Sequence, residues 1–364
     1  MGNLDNISYP SPKQEYKVLV RCFTFNHCKY IEDTLNGFAM QQTCFPYACL
    51  VMDDASTDGE QDIIKAWMER ECDMSRAETL DIPTSVVKIV PHKTNASCTF
   101  AFYLLKQNLY GTGDKKMNHI YPWREKCEYE ALCEGDDYWI DPLKLQKQVD
   151  FLDENPEYTM CCSDAIIKTA EAELNWTRYS INQTVSSKDI ILGGGLFIQT
   201  ATLLYRIGLV VGNNYPEFAK KCHVGDYPLQ IYAALRGKVY WLADKTSVYR
   251  FQTIGSWTDT NQYGQIDNKI EGWQSEIRML RGMDLLSKGV YHNIFNKRIA
   301  DYVLSIITLY NSEVTKLATI FSEEIKMFNY KQKFKLILIK LHLYEVCAFC
   351  IRILRKLHCC NEKI

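Results

Sequence analysis

"EYEALCEGDDYWIDP" (residues 128–142) begins as a strand and ends as a charge problem. Residues 128–133 have strand character and deliver Glu134, Asp136 and Asp137 around Gly135, with Tyr138 and Trp139 directly behind. Carboxylates this close repel one another, so they lie either on a solvated turn or around a cation. Asp141-Pro142 then reads as the N-cap and first position of a helix. Leu145, Val149 and Leu152 give that helix an apolar inner face.

The preceding chain repeats the pattern. Residues 17–23, KVLVRCF, read as a buried strand, followed by a helix with Ile31, Leu35 and Phe38 on one face. Residues 47–52, YACLVM, form a second strand that stops at Asp53-Asp54, and Thr57 with Glu60 makes a capping-box pattern before the next helix. A third strand is expected at 86–90, an apolar helical run at 99–109, an inserted loop at 111–126, and a further strand at YTMCCSD, residues 158–164. Alternating strands and helices predict an α/β fold, a mostly parallel sheet flanked by helices on both faces. Ligands bind such sheets at the carboxyl ends of the strands. Asn26, Asp53-Asp54, Asn95 and the 134–137 cluster all fall there.

The chain has 364 residues, 47% hydrophobic and 24% charged, with net charge −2. That is enough to bury a core without disulfides, and it argues against a generally basic nucleic-acid binder. The first residues, MGNLDNISYPSPKQEYK, contain no apolar signal-like run, and most of the fifteen cysteines sit in apolar stretches as small hydrophobes. A reduced, cytoplasmic protein is the expectation.

Other motifs divide between chemistry and plain structure. MDDASTDGE resembles a calcium loop only in its first half, because Lys65 stands where a bidentate Glu is required. GGGLF (193–197) lacks the dinucleotide-binding pattern and reads as a turn. Asp226 opens a helix with Pro228 in its first turn, the ordinary place for a capping Asp. Cys347, Cys350, His358, Cys359 and Cys360 match no common zinc spacing. They belong to a basic, apolar segment at 331–364 that reads as an amphipathic helix, suited either to an anionic membrane surface or to packing on protein.

With these residues in view, the first ~260 positions resemble the family 2 glycosyltransferases, inverting nucleotide-sugar enzymes of the GT-A fold. VRCFTFNHCKYIEDTLNGFAMQQT is similar to that family's opening strand–loop–helix, and VMDDASTDGE to its second-strand motif, with Ala55 where Gly is usual. CEGDDYW is similar to its D-x-D element, GDYPL to its catalytic-base motif, and SVYRFQTIGSW to the loop over the donor diphosphate. The resemblance implies that Thr24 and Asn26 line the nucleotide pocket and Asp54 faces the base. It implies further that Asp136 contacts ribose or metal, Asp137 ligates Mn²⁺ or Mg²⁺, Asp226 is the general base, and Arg250 contacts the diphosphate or its loop. Cys22-Phe23 stands where Pro-Thr is common, and the stretch around Asn95 keeps only its Asn.

The expectation is therefore a GT-A glycosyltransferase domain over 1–260, a helical region over 261–330 on the acceptor side or between subunits, and the C-terminal helix over 331–364. The implied partners are a nucleotide-sugar donor, UDP-linked, and a saccharide or lipid-linked acceptor of surface polysaccharide synthesis. The cofactor is Mn²⁺ or Mg²⁺, with no nucleic acid partner and the oligomeric state open. The rival reading is a non-catalytic, membrane-associated nucleotide-binding assembly partner, motivated by the departures near 22–23 and 95–100. A nucleotidyltransferase on a related fold would carry a glycine-rich basic loop that LVRCFTFNHC lacks.

Overall fold

A computed structural model describes residues 9–109, 115–169, 171–175, 177–251 and 266–344. The chain divides into two compact units, Met1–Met279 and Leu280–Ile364. Twelve strands make one sheet in the first unit: β1 (Tyr16–Thr24), β2 (Tyr47–Asp53), β3 (Glu78–Ile82), β4 (Ser85–Pro91), β5 (Cys98–Leu105), β6 (Cys127–Leu132), β7 (Tyr138–Trp139), β8 (Tyr158–Lys168), β9 (Glu173–Asn175), β10 (Gln183–Val185), β11 (Leu204–Arg206) and β12 (Lys238–Arg250). The spatial order is β10-β12-β8-β11-β6-β1-β2-β5-β4-β3, with β7 on β12 and β9 on β8.

The centre is parallel: β6, β1, β2 and β5 run side by side in the same direction. Their parallel register brings Thr24 opposite Asp53, and β6 ends on the other side of β1. Antiparallel strands extend both flanks, and β12 adds a second parallel pair with β8.

Both faces of the central sheet are covered, because successive side chains alternate across it. Val18, Val20, Cys22, Cys49 and Val51 face one core with Ile31, Leu35 and Phe38 of the helix Ile31–Ala39. Trp67 of the helix Glu60–Glu71 and Leu145, Val149 and Leu152 of the helix Lys144–Glu154 complete it. Leu19, Ala48, Leu50 and Met52 face the opposite core with Ile120 and Trp123 of the helix Lys116–Arg124. All eleven cysteines of the described residues are free. The group from Cys347 to Cys360, with His358, lies outside them.

Three local expectations are corrected. Residues 98–105 form β5, not a helix: paired on both sides and buried on both faces, the run shows no alternation to distinguish it from a buried helix. Lys116–Arg124, expected inside a loop, is helical, with its apolar residues Ile120 and Trp123 seated in the second core. The helix after β2 is capped by Gly59 at φ 92° and starts at Glu60, so Thr57 and Glu60 form no capping box. Glu60 turns inward and Thr57 bonds to Asn26 instead.

The second unit is helical, with Phe295, Ile299, Val303 and Ile307 buried along the helix His292–Leu309. Its last described helix is Tyr330–Lys340, capped by Asn329 and Gln332 in a reciprocal capping box. His342 follows at φ 56°, and residues 345–364 lie outside the described part. Among the described residues, no helix is long and apolar enough to cross a membrane.

Candidate active site

The parallel strands β1, β2 and β6 end together, and their exit loops are tied to one another. Glu60 is fully buried, and its carboxylate accepts from the Thr24 hydroxyl, from the His27 amide at 2.8 Å and from the Ser56 hydroxyl at 2.9 Å. Dehydration raises its pKa while those donors work the other way. Asn26 adds a second tie: its amide donates to Ser56 Oγ at 2.9 Å and its Oδ1 accepts from the Thr57 amide at 2.8 Å. Thr24 and Asn26, expected to line a nucleotide pocket, have their polar groups engaged with the second loop. Sequence reasoning missed Glu60 as the buried hub because the capping-box pattern accounted for it locally.

Asp54 is buried, with Oδ1 accepting from the Leu109 amide at 2.7 Å and Oδ2 paired to Lys116 Nζ at 2.7 Å. Its neighbour Asp53 accepts at Oδ1 from the Ser56 amide and from Gln61, while its buried Oδ2 has no hydrogen-bond partner in the structure. Asn95 is structural: its side-chain amide donates to the Ala39 and Gln41 carbonyls and to the Tyr47 hydroxyl.

After β6 the acidic turn lies against β1. A Cβ on Gly135 would stand 1.9 Å from Thr24 Oγ1, so only glycine lets the turn pass. Asp137 is buried, its Oδ1 accepting from the Arg250 amide at 2.9 Å and its carbonyl from the Thr34 hydroxyl at 2.6 Å. Burial, with Asp136 and Glu134 beside it, pushes its pKa well above the carboxylate range. Asp136 faces His27 across 3.9 Å. Glu134 is exposed, yet dehydration together with Asp136 and Asp226 pushes it up to about 7.

Arg250, at the end of β12, is buried between Tyr30 and Tyr138, its guanidinium 4.9 Å and 4.3 Å from the ring centres. It donates to the Asp136 carbonyl at 2.7 Å and to Asp33, so its fork holds the acidic turn in place. The stretch after it, residues 252–265, lies outside the described residues.

Asp226 begins the helix Asp226–Arg236 and is half-buried. Its Oδ2 accepts from Thr200 Oγ1 at 3.1 Å and its Oδ1 from the Tyr227 amide at 2.8 Å. Dehydration raises its pKa against those two donors. It is near enough to Glu134 of the acidic turn to raise the proton affinity of that group. The GGGLF turn also reaches it, for a Cβ on Gly195 would lie 3.9 Å from Asp226 Oδ2.

Comparison with solved structures places the fold. The chain superposes on S. aureus TarS with a TM-score of 0.56 at 15% identity, over 90% of this chain and 54% of that one. On TarS 1-349 in complex with UDP the TM-score is 0.55, covering 90% and 88%, and on its complex with UDP-GlcNAc 0.51, covering 85% and 89%. The fold is GT-A. At this identity the likeness is one of fold. No family model matches the chain. Uncharacterized protein Rv1520 of Mycobacterium tuberculosis (strain H37Rv) and Uncharacterized protein Mb1547 of Mycobacterium bovis are each 31% identical over 241 residues, 64% of this chain and 58% of theirs. The chain therefore spans little more than half the length of these curated relatives.

Proposed function

We propose that the chain is an inverting glycosyltransferase that moves a sugar from a nucleotide sugar, UDP-linked, to a hydroxyl of a saccharide or lipid-linked acceptor of surface polysaccharide synthesis. The observation that supports the reading is the placing of Glu134, Asp136 and Asp137 just past the parallel strand β6 of a GT-A fold, with Asp226 near enough to raise the proton affinity of Glu134.

Asp136 and Asp137 are the groups that would hold Mn²⁺ or Mg²⁺. Their hard oxygen donors suit such an ion, and the crowding that drives Asp137 toward its protonated form is the condition a cation relieves. Among the described residues no cluster of three ligating side chains stands assembled. When bound, the ion supplies positive charge to the departing diphosphate.

The remaining chemistry belongs to side chains of this chain. Inversion needs one in-line displacement: the acceptor oxygen bonds to the anomeric carbon as the bond to the diphosphate oxygen breaks, and its proton goes to a base. Asp226 suits that base. The Thr200 hydroxyl and Tyr227 amide fix its carboxylate, the helix N-terminus stabilises its charged form, and dehydration strengthens its hold on a proton. Arg250 acts as a positioning residue through the Asp136 carbonyl and the Asp137 carboxylate.

Calorimetric titration of UDP with and without Mn²⁺ tests the nucleotide and metal reading together. Binding strengthened by the ion is expected, whereas no binding in either condition would remove the proposal. Asp226→Asn is expected to keep donor affinity and lose about 10²–10⁴-fold in turnover, the usual worth of a general base; normal turnover would sink the assignment.

A second component of the proposal concerns location. The C-terminal helix is suited to rest on an anionic membrane surface, near a lipid-linked acceptor.

A further inference from the structure

Lys116 sits where the donor has to be read. Its helix, Lys116–Arg124, comes from the segment that the sequence marks as an insertion, and its ammonium pairs with Asp54 Oδ2 at 2.7 Å. The other carboxylate oxygen of Asp54 is committed to the Leu109 amide, and its main-chain carbonyl accepts from the Asn108 side chain at 3.0 Å. Oδ2 is the Asp54 oxygen that no backbone amide holds, and a ligand that addresses it meets Lys116 there. The Asp54 side chain is 3% exposed, while the Lys116 side chain above it is 31% exposed. The same ammonium lies 5.5 Å from the centre of the Phe23 ring on β1, and it lowers the proton affinity of Glu134 beyond β6. Lys116 thus bridges Asp54 at the end of β2 and Phe23 of β1, with Glu134 within reach of its charge.

The charge balance of the site gives this position a use. A nucleoside diphosphate brings negative charge toward Glu134, Asp136, Asp137 and Asp226. Arg250 is held by Asp33 and the Asp136 carbonyl, and Arg21 is held by Glu130 at 2.6 Å. Both have fixed structural work. A lysine is a point charge on a flexible four-carbon stem, so Lys116 can exchange one anion for another without losing a fixed bidentate geometry.

We propose that Lys116 is a donor-recognition residue: in the free protein it neutralises Asp54, and when a nucleoside diphosphate binds it passes Asp54 to an N–H of the base and turns to the phosphates. The inference rests on the nucleotide-sugar reading above. It assigns the pocket a cation that belongs to this chain's inserted helix, and it makes base and phosphate recognition interdependent. No bond is made or broken; one ion pair is exchanged for another.

The test compares UDP and uridine binding to the full chain, its Lys116→Ala and Lys116→Arg variants, by calorimetry for UDP and ligand-observed NMR for uridine. Lys116→Ala is expected to weaken UDP by about tenfold or more, the loss of one charge-assisted hydrogen bond. It is also expected to leave uridine bound as well as before or better, since Asp54 is then uncovered. Lys116→Arg, which keeps the cation, is expected to retain most of the UDP affinity. Equal weakening of both ligands would make Lys116 a structural tie, and unchanged UDP affinity would exclude a phosphate contact; either overturns the proposal. A wild-type chain that binds no UDP overturns the nucleotide reading itself, which separates the two failures.

Discussion

Asn26 and Ala55 face each other across the β1 and β2 exit loops with φ of 59° and 58°, the left-handed region where a Cβ is unwelcome. Asn tolerates it through local hydrogen bonds, and here its side chain holds the Thr57 amide. Ala55 has no such compensation, and in the resembled family this place is usually Gly. Ala55→Gly is therefore expected to stabilise the chain by about 0.5–1 kcal/mol in urea denaturation, because relief of strain outweighs the added freedom of the unfolded chain. A loss of stability would show that the strain is imaginary. Asp226 carries a pH signature on the same scale. Its pKa is raised in the folded chain, so its contribution to stability is fully present below the ordinary Asp value and is lost as pH rises through the folded value. At neutral pH the dehydrated charge is a cost that Asp226→Asn removes, so the variant that loses turnover is expected to melt no lower than the wild type. The acid limb of the wild-type pH–rate profile is expected above about 3.9, the reference Asp value. A limb at or below that value would point to a different base.

Between elements, the critical contact is the passage of the acidic turn over the end of β1. Thr24 cannot rotate away from a new methyl group on Gly135 without leaving Glu60, to which its hydroxyl donates. Gly135→Ala is expected to cost about 1–3 kcal/mol in denaturant titration, the usual range for overpacking, and to weaken UDP binding in parallel. Retained stability with retained binding would show the turn free to move. Much of this framework is legible in the sequence. β1, β2 and β6 stand out as apolar runs with Asn, Asp or Glu at or just past their ends, and Ile31, Leu35 and Phe38 have helical spacing and are all buried. Other elements are not legible for identifiable reasons. CTFAFYLL has no alternation because both its faces are covered. ETLDI, the exposed β3 at the sheet edge, has too little apolar content to announce itself. Lys116–Arg124 is short and interrupted by Pro122, and tertiary packing of Ile120 and Trp123 supplies what propensity withholds. At the site, the residue types of the acids are visible in the chain. The bonds of Glu60, Lys116 and Arg250 join segments far apart in sequence, and no local pattern encodes them.

The whole molecule poses the question of what meets the second unit's last described helix. Gln332, Leu336 and Ile339 bury one face of Tyr330–Lys340 within that unit. The opposite face presents Tyr330, Phe334, Ile337 and Leu341 at spacings of four, three and four, exposed by 77%, 62%, 52% and 60%. Lys331 borders this stripe on one side, with Lys333 and Lys340 on the other. Apolar side chains on the outward face of an anchored helix, edged by cations, match the chemistry of an anionic bilayer surface: ring and aliphatic groups at the level of the acyl boundary, ammonium groups among the phosphates. Each lysine near such a surface contributes about 1 kcal/mol, a term that salt screens. The full chain is therefore expected to co-sediment with vesicles containing phosphatidylserine at low salt and to leave them as salt rises. Removing residues 331–364 is expected to abolish sedimentation while leaving UDP binding within about twofold. Lys333→Glu with Lys340→Glu separates the causes, since it reverses the border charge and keeps the stripe. Lost sedimentation in that variant identifies the lysines as the attracting groups, whereas unchanged sedimentation of the truncated chain assigns the stripe to a protein partner and removes the membrane from the proposal.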